Sequence, residues 1–153
     1  MMKNILIILS ISAIFQKSPH EIKKYFDDGT LKSVERYIDT IKNGLSEYYF
    51  QNGKLAKSFN YINGEREGEY KTYYENGNVY KKGYYKNGKL DGSVITFSIE
   101  GDTVMCNVFS LDTTKITILY RDNGKRRTMR DLYRKIYITY DESGKVEAIK
   151  KIE

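Results

Sequence analysis

The sequence repeats itself with a period of about 24 residues. The segments 37–44, 61–68 and 85–92 align without gaps, and each begins with tyrosine and ends with glycine. The other half of the unit recurs at the same spacing, with an aromatic residue at 25, 49, 73 and 97 and a glycine four positions after each. Coincidences of this kind indicate an internal repeat, which is the signature of a structure built from stacked, similar units.

Each unit has the pattern of a β-hairpin. Asn-Gly pairs separate runs rich in Tyr, Val, Ile and Phe, and Asn-Gly is a strong hairpin signal because both residues accept a positive φ. The predicted turn glycines are Gly53, Gly64, Gly77 and Gly88. The turns leave about 7–9 residues for each strand, and such frequent glycine disfavours helix. We therefore predict an antiparallel sheet.

The aromatic residues are the material from which such a sheet can be packed. The chain has 15 Tyr and 6 Phe but no Trp, and tyrosine suits a surface that is buried on one side and wet on the other. The predicted sheet-face residues are Tyr37, Tyr49, Tyr61, Tyr73, Tyr85 and Phe97. They are candidates for a shallow groove that binds an extended peptide or a glycan. The alternative is that the rings pack only on their neighbours, on a cap or on a second copy of the chain.

Two stretches of sequence resemble the MORN-repeat family in its bacterial variant form. They are "YYENGNVYKKGYYKNGKLDG" at 73–92 and "YYFQNGKLAKSFNYINGEREG" at 48–68. The resemblance covers about residues 25–110, with a degenerate first copy in which Thr40 stands where Gly64 and Gly88 stand later. It implies an antiparallel hairpin ribbon that serves as a scaffold for contacts with proteins or membranes. Bacterial proteins of this kind are often labelled antitoxins of the YwqK type, which implies an alternative: neutralisation of a toxin by direct contact.

The repeat pattern loosens after residue 110. We interpret 111–153 as decayed repeats that cap the array, since the ends of repeat arrays differ from their middles. Met129, Leu132, Tyr133, Ile136 and Tyr137 also have helical spacing, so a short helix at 128–137 is the alternative. The predicted fold is all-β: an elongated, single-layer antiparallel meander of about 24-residue hairpins at 19–110, followed by a degenerate C-terminal cap.

The N-terminus has the pattern of an export signal. Lys3 precedes an apolar run from Ile5 to Phe15, which is too short to span a bilayer comfortably and fits the hydrophobic part of a secretory signal peptide. We predict that residues 1–18 are a signal peptide and that the protein is exported to the periplasm or the cell surface. The alternative is a cytoplasmic protein in which this segment is a buried strand or helix.

The positive charge is concentrated near the C-terminus. The chain carries a net charge of +6, and the stretch 121–135 holds seven cations against two acids. These cations are Arg121, Lys125, Arg126, Arg127, Arg130, Arg134 and Lys135. They predict contact with an anionic partner, such as a membrane surface, with nucleic acid the least favoured partner for an exported protein. The alternative is a solvated edge that blocks the addition of further strands.

The residues that carry most enzyme chemistry are scarce. The chain has one cysteine, Cys106, and one histidine, His20, which excludes an internal disulfide and a four-ligand Cys/His zinc site. We predict no enzyme activity, no cofactor and no metal. The predicted function is a scaffold that binds a protein or an envelope component through a sheet face. A homo-oligomer and a membrane-surface scaffold that uses the basic stretch are further predictions.

Overall fold

The computed structural model describes residues 18–153, and these residues form one open antiparallel sheet. All but Ser18 of the predicted signal peptide lies outside the described residues. The strands are β1 (Pro19–Tyr25), β2 (Leu31–Ile38), β3 (Ile41–Lys42), β4 (Gly44–Tyr49), β5 (Leu55–Ile62), β6 (Glu65–Tyr73), β7 (Val79–Lys86), β8 (Lys89–Leu90), β9 (Gly92–Phe97), β10 (Thr103–Ser110), β11 (Thr113–Tyr120), β12 (Arg126–Asp131), β13 (Ile136–Tyr140) and β14 (Val146–Lys151). The predicted all-β, single-layer fold is confirmed.

The strands follow one another across the sheet in chain order. Each main strand pairs with the next one along the chain, while the two-residue strands β3 and β8 pair only with β2 and β7. The result is a meander, as expected for hairpins joined by short connections. The sheet continues through the predicted boundary at residue 110, because β10 pairs with β9 on one side and with β11 on the other.

The alternative helix at 128–137 is wrong. Met129 pairs with Ile118 on one side and Ile138 on the other, so this stretch forms β12, a turn and the start of β13. The helical spacing of its apolar residues is an accident of two strands separated by a turn. Met129 and Ile138 meet across the hairpin and share one face of the sheet.

One long rim of the sheet, here called the five-residue-turn rim, repeats the same turn. In each turn the first N–H donates to the last carbonyl and the glycine N–H donates to the first carbonyl; in the Phe50 turn these bonds are 2.8 Å to Lys54 and 2.9 Å from Gly53. The turns lie at 26–30, 50–54, 74–78, 98–102, 121–125 and 141–145. The last two show that the C-terminal segment keeps the hairpin of the repeat although its spacing has drifted.

The four predicted turn glycines all lie in turns, but the turns are of two kinds. In Asn63-Gly64 and Asn87-Gly88 both residues have positive φ, as expected for a two-residue hairpin turn. In the pairs 52–53 and 76–77 only the glycine does, which differs from the prediction. These two pairs belong to the five-residue turns. There the asparagine side chain accepts the backbone N–H two residues later, as Asn52 does from Lys54 at 3.0 Å.

The core is a row of side chains that runs across the strands on one face. Ser46 pairs with Phe59, Phe59 with Tyr70, and Tyr70 with Gly83, so large residues are flanked by small ones. The rings of Phe59 and Tyr70 are stacked with their centroids 5.7 Å apart. Phe59, Tyr70 and the nearby Val94 are all less than a tenth exposed. We call this side of the sheet the aromatic face.

The apolar side of the sheet changes at β9. On the side opposite the aromatic face, successive cross-strand partners in β4 to β7 are polar: Glu47, Ser58, Lys71 and Lys82. From β9 to β14 the same row is apolar: Ile95, Cys106, Ile118, Met129, Ile138 and Ile149. On the aromatic face the row is polar over β10 to β12, with Asn107, Thr117 and Arg130. We call the apolar set from β9 to β14 the C-terminal apolar row.

Candidate functional site

Three of the six predicted sheet-face aromatics lie on the aromatic face. They are Tyr37, Tyr61 and Tyr85. The Lys42 ammonium lies 6.0 Å from the ring centroid of Tyr37 and 5.2 Å from that of Tyr61. Arg66 donates to the Tyr85 hydroxyl at 3.1 Å. The three rings are 24 residues apart in sequence and lie near the rim opposite the five-residue-turn rim.

The other three, Tyr49, Tyr73 and Phe97, lie on the opposite face. Each directly follows a residue of the aromatic face, and successive residues of a strand point to opposite sides. The Lys82 ammonium, which belongs to the polar row of that side, lies 5.4 Å from the Phe97 ring centroid. The pKa of the Tyr49 hydroxyl is raised by burial and by Glu47, another member of that row. The six aromatics therefore form two surfaces instead of one.

The aromatic face is covered largely by its own side chains. The Arg66 guanidinium carbon lies 4.2 Å above the centroid of the Phe59 ring, and the same group donates to the Tyr61 hydroxyl at 3.4 Å. Tyr61 is 9% exposed, and burial raises the pKa of the Tyr70 hydroxyl to about 12. A cation lying on a ring in this way shelters it from water and is attracted by its π electrons. Tyr85, by contrast, is half-buried.

A buried carboxylate, that of Glu35, lies on the aromatic face in β2, next to the aromatic core of β4 to β7. Glu35 is 4% exposed, and it accepts hydrogen bonds from Lys42 at 2.7 Å and from the Tyr37 hydroxyl at 2.8 Å. Lys24 provides a third bond at 3.2 Å. Burial pushes the pKa of the Glu35 carboxyl upward, but the bonds from Lys42, Tyr37 and Lys24 outweigh it and lower this pKa to about 2. The group is an ion-paired part of the core.

The Glu35 cluster was not predicted from the sequence, although the repeat contains a signal for it. Glu35 aligns with Phe59 of the next unit, so a charge stands where the next unit has a buried aromatic ring. Lys42 aligns in the same way with Arg66. An acid at a buried position beside an aligned cation is the pattern of a paired buried charge.

The C-terminal apolar row is open along much of its length. Ile95, Cys106, Ile118 and Met129 are partly exposed, and Ile149 at the end of the row is 61% exposed. Beside the row, Ile116 and Met129 floor a shallow depression whose margin includes Lys115, Tyr133 and Arg134. Tyr133 is 87% exposed. This side of the sheet combines an apolar floor with a cationic margin.

Residues 42–63 and 66–95 match the family model of the MORN repeat variant. These two segments are MORN-variant repeats. They run from Lys42 to Ile95 and therefore contain the core of the aromatic face. No curated protein matches the chain. The family supports the coarse description of a repeat scaffold, of a kind that often contacts proteins or membranes.

The predicted basic patch lies beyond the matched MORN repeats and does not form one surface. Arg121, Lys125 and Arg126 lie at the five-residue-turn rim, whereas Arg134 and Lys135 lie in the turn at the other rim. The six residues of β12 separate the two groups by roughly 20 Å. The exposed Arg127 and Arg130 lie between them. Closeness in sequence thus does not become closeness in space, because a strand runs from rim to rim.

Several of these cations are also engaged within the chain. Arg121 donates to the Tyr140 carbonyl at 2.8 Å, and the pKa of Arg126 is raised by its hydrogen bond with the Tyr140 side chain. Arg134 Nε lies 3.8 Å from Asp131 Oδ2. Asp131 is 4% exposed and accepts the backbone N–H groups of Tyr133 and Arg134 at 3.0 and 2.9 Å. This carboxylate therefore stabilises the turn that follows β12.

The single histidine and the single cysteine both lie among structural side chains of the sheet. The His20 ring stacks on Tyr37 with centroids 5.7 Å apart, and Cys106 is a free thiol within the C-terminal apolar row. Residues 18–153 contain no cluster of three or more His, Cys, Asp or Glu side chains arranged for a metal ion. In that part of the chain, no helix is long and apolar enough to cross a membrane.

Proposed function

We propose that the protein is a non-catalytic repeat scaffold that binds a partner protein across the C-terminal apolar row. One observation carries the proposal: this apolar row lies on a single-layer sheet and remains partly exposed, whereas the aromatic face of the MORN-variant repeats buries most of its rings. A contiguous apolar surface of this kind is typical of an interaction site.

The exposures of the two faces favour the apolar row over the tyrosine groove. Phe59, Tyr61 and Tyr70 are less than a tenth exposed, so a ligand on the aromatic face gains little new contact with them. Ile118 and Met129 at the centre of the apolar row are both partly exposed. Covering such side chains is favourable by about 25 cal/mol for each Å² of apolar surface removed from water.

The charges at the margin indicate the chemistry of the partner. Lys115 and Arg134 lie beside the depression floored by Ile116 and Met129, and the nearby Asp131 is occupied by its own turn. A partner with an apolar patch flanked by carboxylates complements this arrangement. We favour a protein over a lipid surface because five of the seven cations of 121–135 are divided between two rims, and the seven do not present a single basic plane.

Photo-crosslinking tests both the partner class and the face. Benzoylphenylalanine is placed at Ile118 in one variant and at Thr117 in the other, and cells of the native host are irradiated. These neighbours lie on opposite faces of β11, so each is the control for the other. We expect a protein adduct from position 118 and none from position 117. The same purified sample reports the N-terminus, and loss of residues near 1–18 would support the predicted export.

Three outcomes contradict the proposal. An adduct mainly from position 117 assigns the contact to the aromatic-face side, and an adduct to lipid supports the membrane-surface alternative. No adduct from either position argues against binding through the sheet faces. A toxin as the adduct at position 118 would keep the binding face and select the antitoxin-like alternative. Folding of both variants is checked by circular dichroism.

A further inference from the structure

The turn between β12 and β13 presents an aromatic ring to solvent. Tyr133 is 87% exposed, the highest value for a large apolar or aromatic residue within 18–153. The two-residue turns of the same rim contain no aromatic side chain in this part of the chain. Tyr133 also borders the shallow depression floored by Ile116 and Met129, here called the Tyr133 depression. An exposed ring beside an apolar hollow, unlike a ring exposed alone, is typical of an interaction site.

The backbone of this turn is ordered by its own hydrogen bonds. Asp131 is 4% exposed, and its Oδ1 accepts the N–H groups of Tyr133 and Arg134 at 3.0 and 2.9 Å. The Leu132 N–H donates to the Lys115 carbonyl of the neighbouring strand at 2.8 Å. Three successive N–H groups are thus engaged, so the turn holds the Tyr133 backbone in place. Binding to such a turn avoids the entropic cost of ordering a loop.

The Tyr133 depression is small, and its accessible charges are positive. Its volume of about 450 Å³ is near the lower end of the range of roughly 300–1,000 Å³ that small-ligand sites occupy. Lys115 has no ion-pair partner within residues 18–153, and the Arg134 side chain is 72% exposed, with its Nε 3.8 Å from Asp131. Because Asp131 is buried, a side chain that enters the depression meets an apolar floor and two cations.

We propose that Tyr133 anchors the partner: its ring and the Tyr133 depression hold one large apolar side chain of a partner segment that carries a carboxylate within two residues of it. This contact rests on the proposed function, because it names how the partner protein is held beside the C-terminal apolar row. Tyrosine and arginine are enriched among the few residues that carry most of the binding energy of an interface. Here Tyr133 and Arg134 come from one ordered turn.

The lining of the depression determines the pattern of the partner segment. The apolar residues Ile116 and Met129 and the cations Lys115 and Arg134 all line it. Consecutive Cα atoms of a chain are about 3.8 Å apart, so residues one or two positions from the inserted side chain pass over the margin. An acidic side chain at such a position reaches Lys115 or Arg134, and attraction between the opposite charges favours it over a basic one.

Crosslinking at the turn tests this contact. Benzoylphenylalanine replaces Tyr133 in one variant and Tyr84 in the control, and cells of the native host are irradiated. Tyr84 is 48% exposed and lies on the same side of the sheet, in β7 and away from the depression. We expect a protein adduct from position 133 and none from position 84. Mass spectrometry of the adduct should place Asp or Glu within two residues of a large apolar residue at the crosslink.

The crosslinked peptide, synthesised with a fluorescent label, then serves as the probe for affinity. We expect Tyr133→Ala to raise its Kd at least about tenfold, and Tyr133→Phe to change it less than about twofold. Arg134→Glu should raise the Kd at least about fivefold at low ionic strength and by a smaller factor in about 0.5 M salt. Tyr84→Ala is the matched control and should leave the Kd unchanged. Circular dichroism checks that each variant is folded.

Four results would overturn the proposed contact. They are no adduct from position 133, equal adducts from positions 133 and 84, a crosslinked segment without a nearby carboxylate, and a Kd that Tyr133→Ala does not change. The outcome at position 118 is separate. An adduct from 118 without one from 133 leaves the proposed function in place and removes the anchor. An adduct from 133 without one from 118 keeps the anchor and contradicts binding across the C-terminal apolar row, and a lipid adduct from 133 contradicts both.

Discussion

The ring of Tyr70 lies directly against the backbone of Gly83. A Cβ built at Gly83 would be 2.7 Å from Tyr70 Cε1 and 2.8 Å from Val94 Cγ2. Gly83 does not have a positive φ, so its backbone conformation does not require glycine. Glycine is required here because its neighbours approach too closely for a side chain. One repeat earlier, Phe59 stands at this position and Ser46 stands at that of Tyr70. Adjacent units thus exchange large and small residues to fill the same row.

We expect Gly83→Ala to lower the free energy of unfolding by about 1–3 kcal/mol, because the added methyl group overpacks the row. Urea denaturation followed by circular dichroism measures this change. The same substitution in a Tyr70→Ala background should be less destabilising, since the nearest contact has been removed. Equal losses in both backgrounds would show that the contact with Tyr70 does not explain the glycine.

Arg66 acts mainly as a cover for the aromatic face. Its guanidinium lies over Phe59, and Leu90 occupies the aligned position of the next repeat and packs against the same core. We expect Arg66→Leu to change the free energy of unfolding by less than about 1 kcal/mol, whereas Arg66→Ala lowers it by about 1–2 kcal/mol. Thermal and urea denaturation distinguish the two. Equal destabilisation by leucine and alanine would assign the stabilising role to the charge.

The Glu35 carboxylate makes the free energy of unfolding depend on pH in the acid range. Its carboxyl pKa falls from an ordinary value of 4.5 to about 2 in the fold, so its contribution to stability is present above pH 4.5 and is lost as the pH falls through about 2. We expect the urea midpoint of the natural chain to fall more steeply between pH 4.5 and 2 than that of Glu35→Gln. At pH 7 the substitution should lower the free energy of unfolding by about 1–3 kcal/mol.

Glu142→Gln is the control for this pH dependence. Glu142 is exposed in the turn between β13 and β14, and removing its charge should leave the slope of the natural chain unchanged. If Glu35→Gln follows the same curve as the natural chain, the carboxylate does not make the contribution that its contacts with Lys42 and Tyr37 indicate.

The two kinds of Asn-Gly turn should respond differently to the same substitution. Asn63 has a φ of 50°, so Asn63→Gly should change stability by less than about 0.5 kcal/mol, whereas Asn63→Ala should lower it by about 1 kcal/mol. Asn52 lacks positive φ, and its side chain bonds to Lys54 and to the Glu75 carbonyl. Asn52→Gly should therefore lower stability by about 1 kcal/mol. Chemical denaturation of the three variants checks this, and an equal response to glycine at both sites would contradict it.

The repeat and its turns could be predicted from the sequence because they depend on local chemistry. Gly53, Gly64, Gly77 and Gly88 mark turns through their own backbone freedom, whatever surrounds them. The helix alternative near Met129 could not be rejected in the same way. Its apolar residues meet only after a turn has brought β12 and β13 together, and spacing along the chain contains no information about that pairing.

The candidate surfaces were harder to predict because they depend on register. Tyr37 and Tyr49 are similar in sequence context, yet they lie on opposite faces, because the pairing of β2 with β3 and β4 sets their register and the repeat pattern does not show it. Arg121 and Arg134 are close in the chain but lie at opposite rims. The C-terminal apolar row was missed for the same reason, since its members come from six strands with irregular spacing.

The change of apolar side at β9 has a consequence for how a repetitive molecule can be recognised. A uniform array offers a ligand many equivalent positions, and the ligand can shift by one unit without losing contacts. Here the central row on each side of the sheet is apolar over part of its length and polar over another part. A ligand matched to one such row therefore loses contacts if it shifts by a unit across the change.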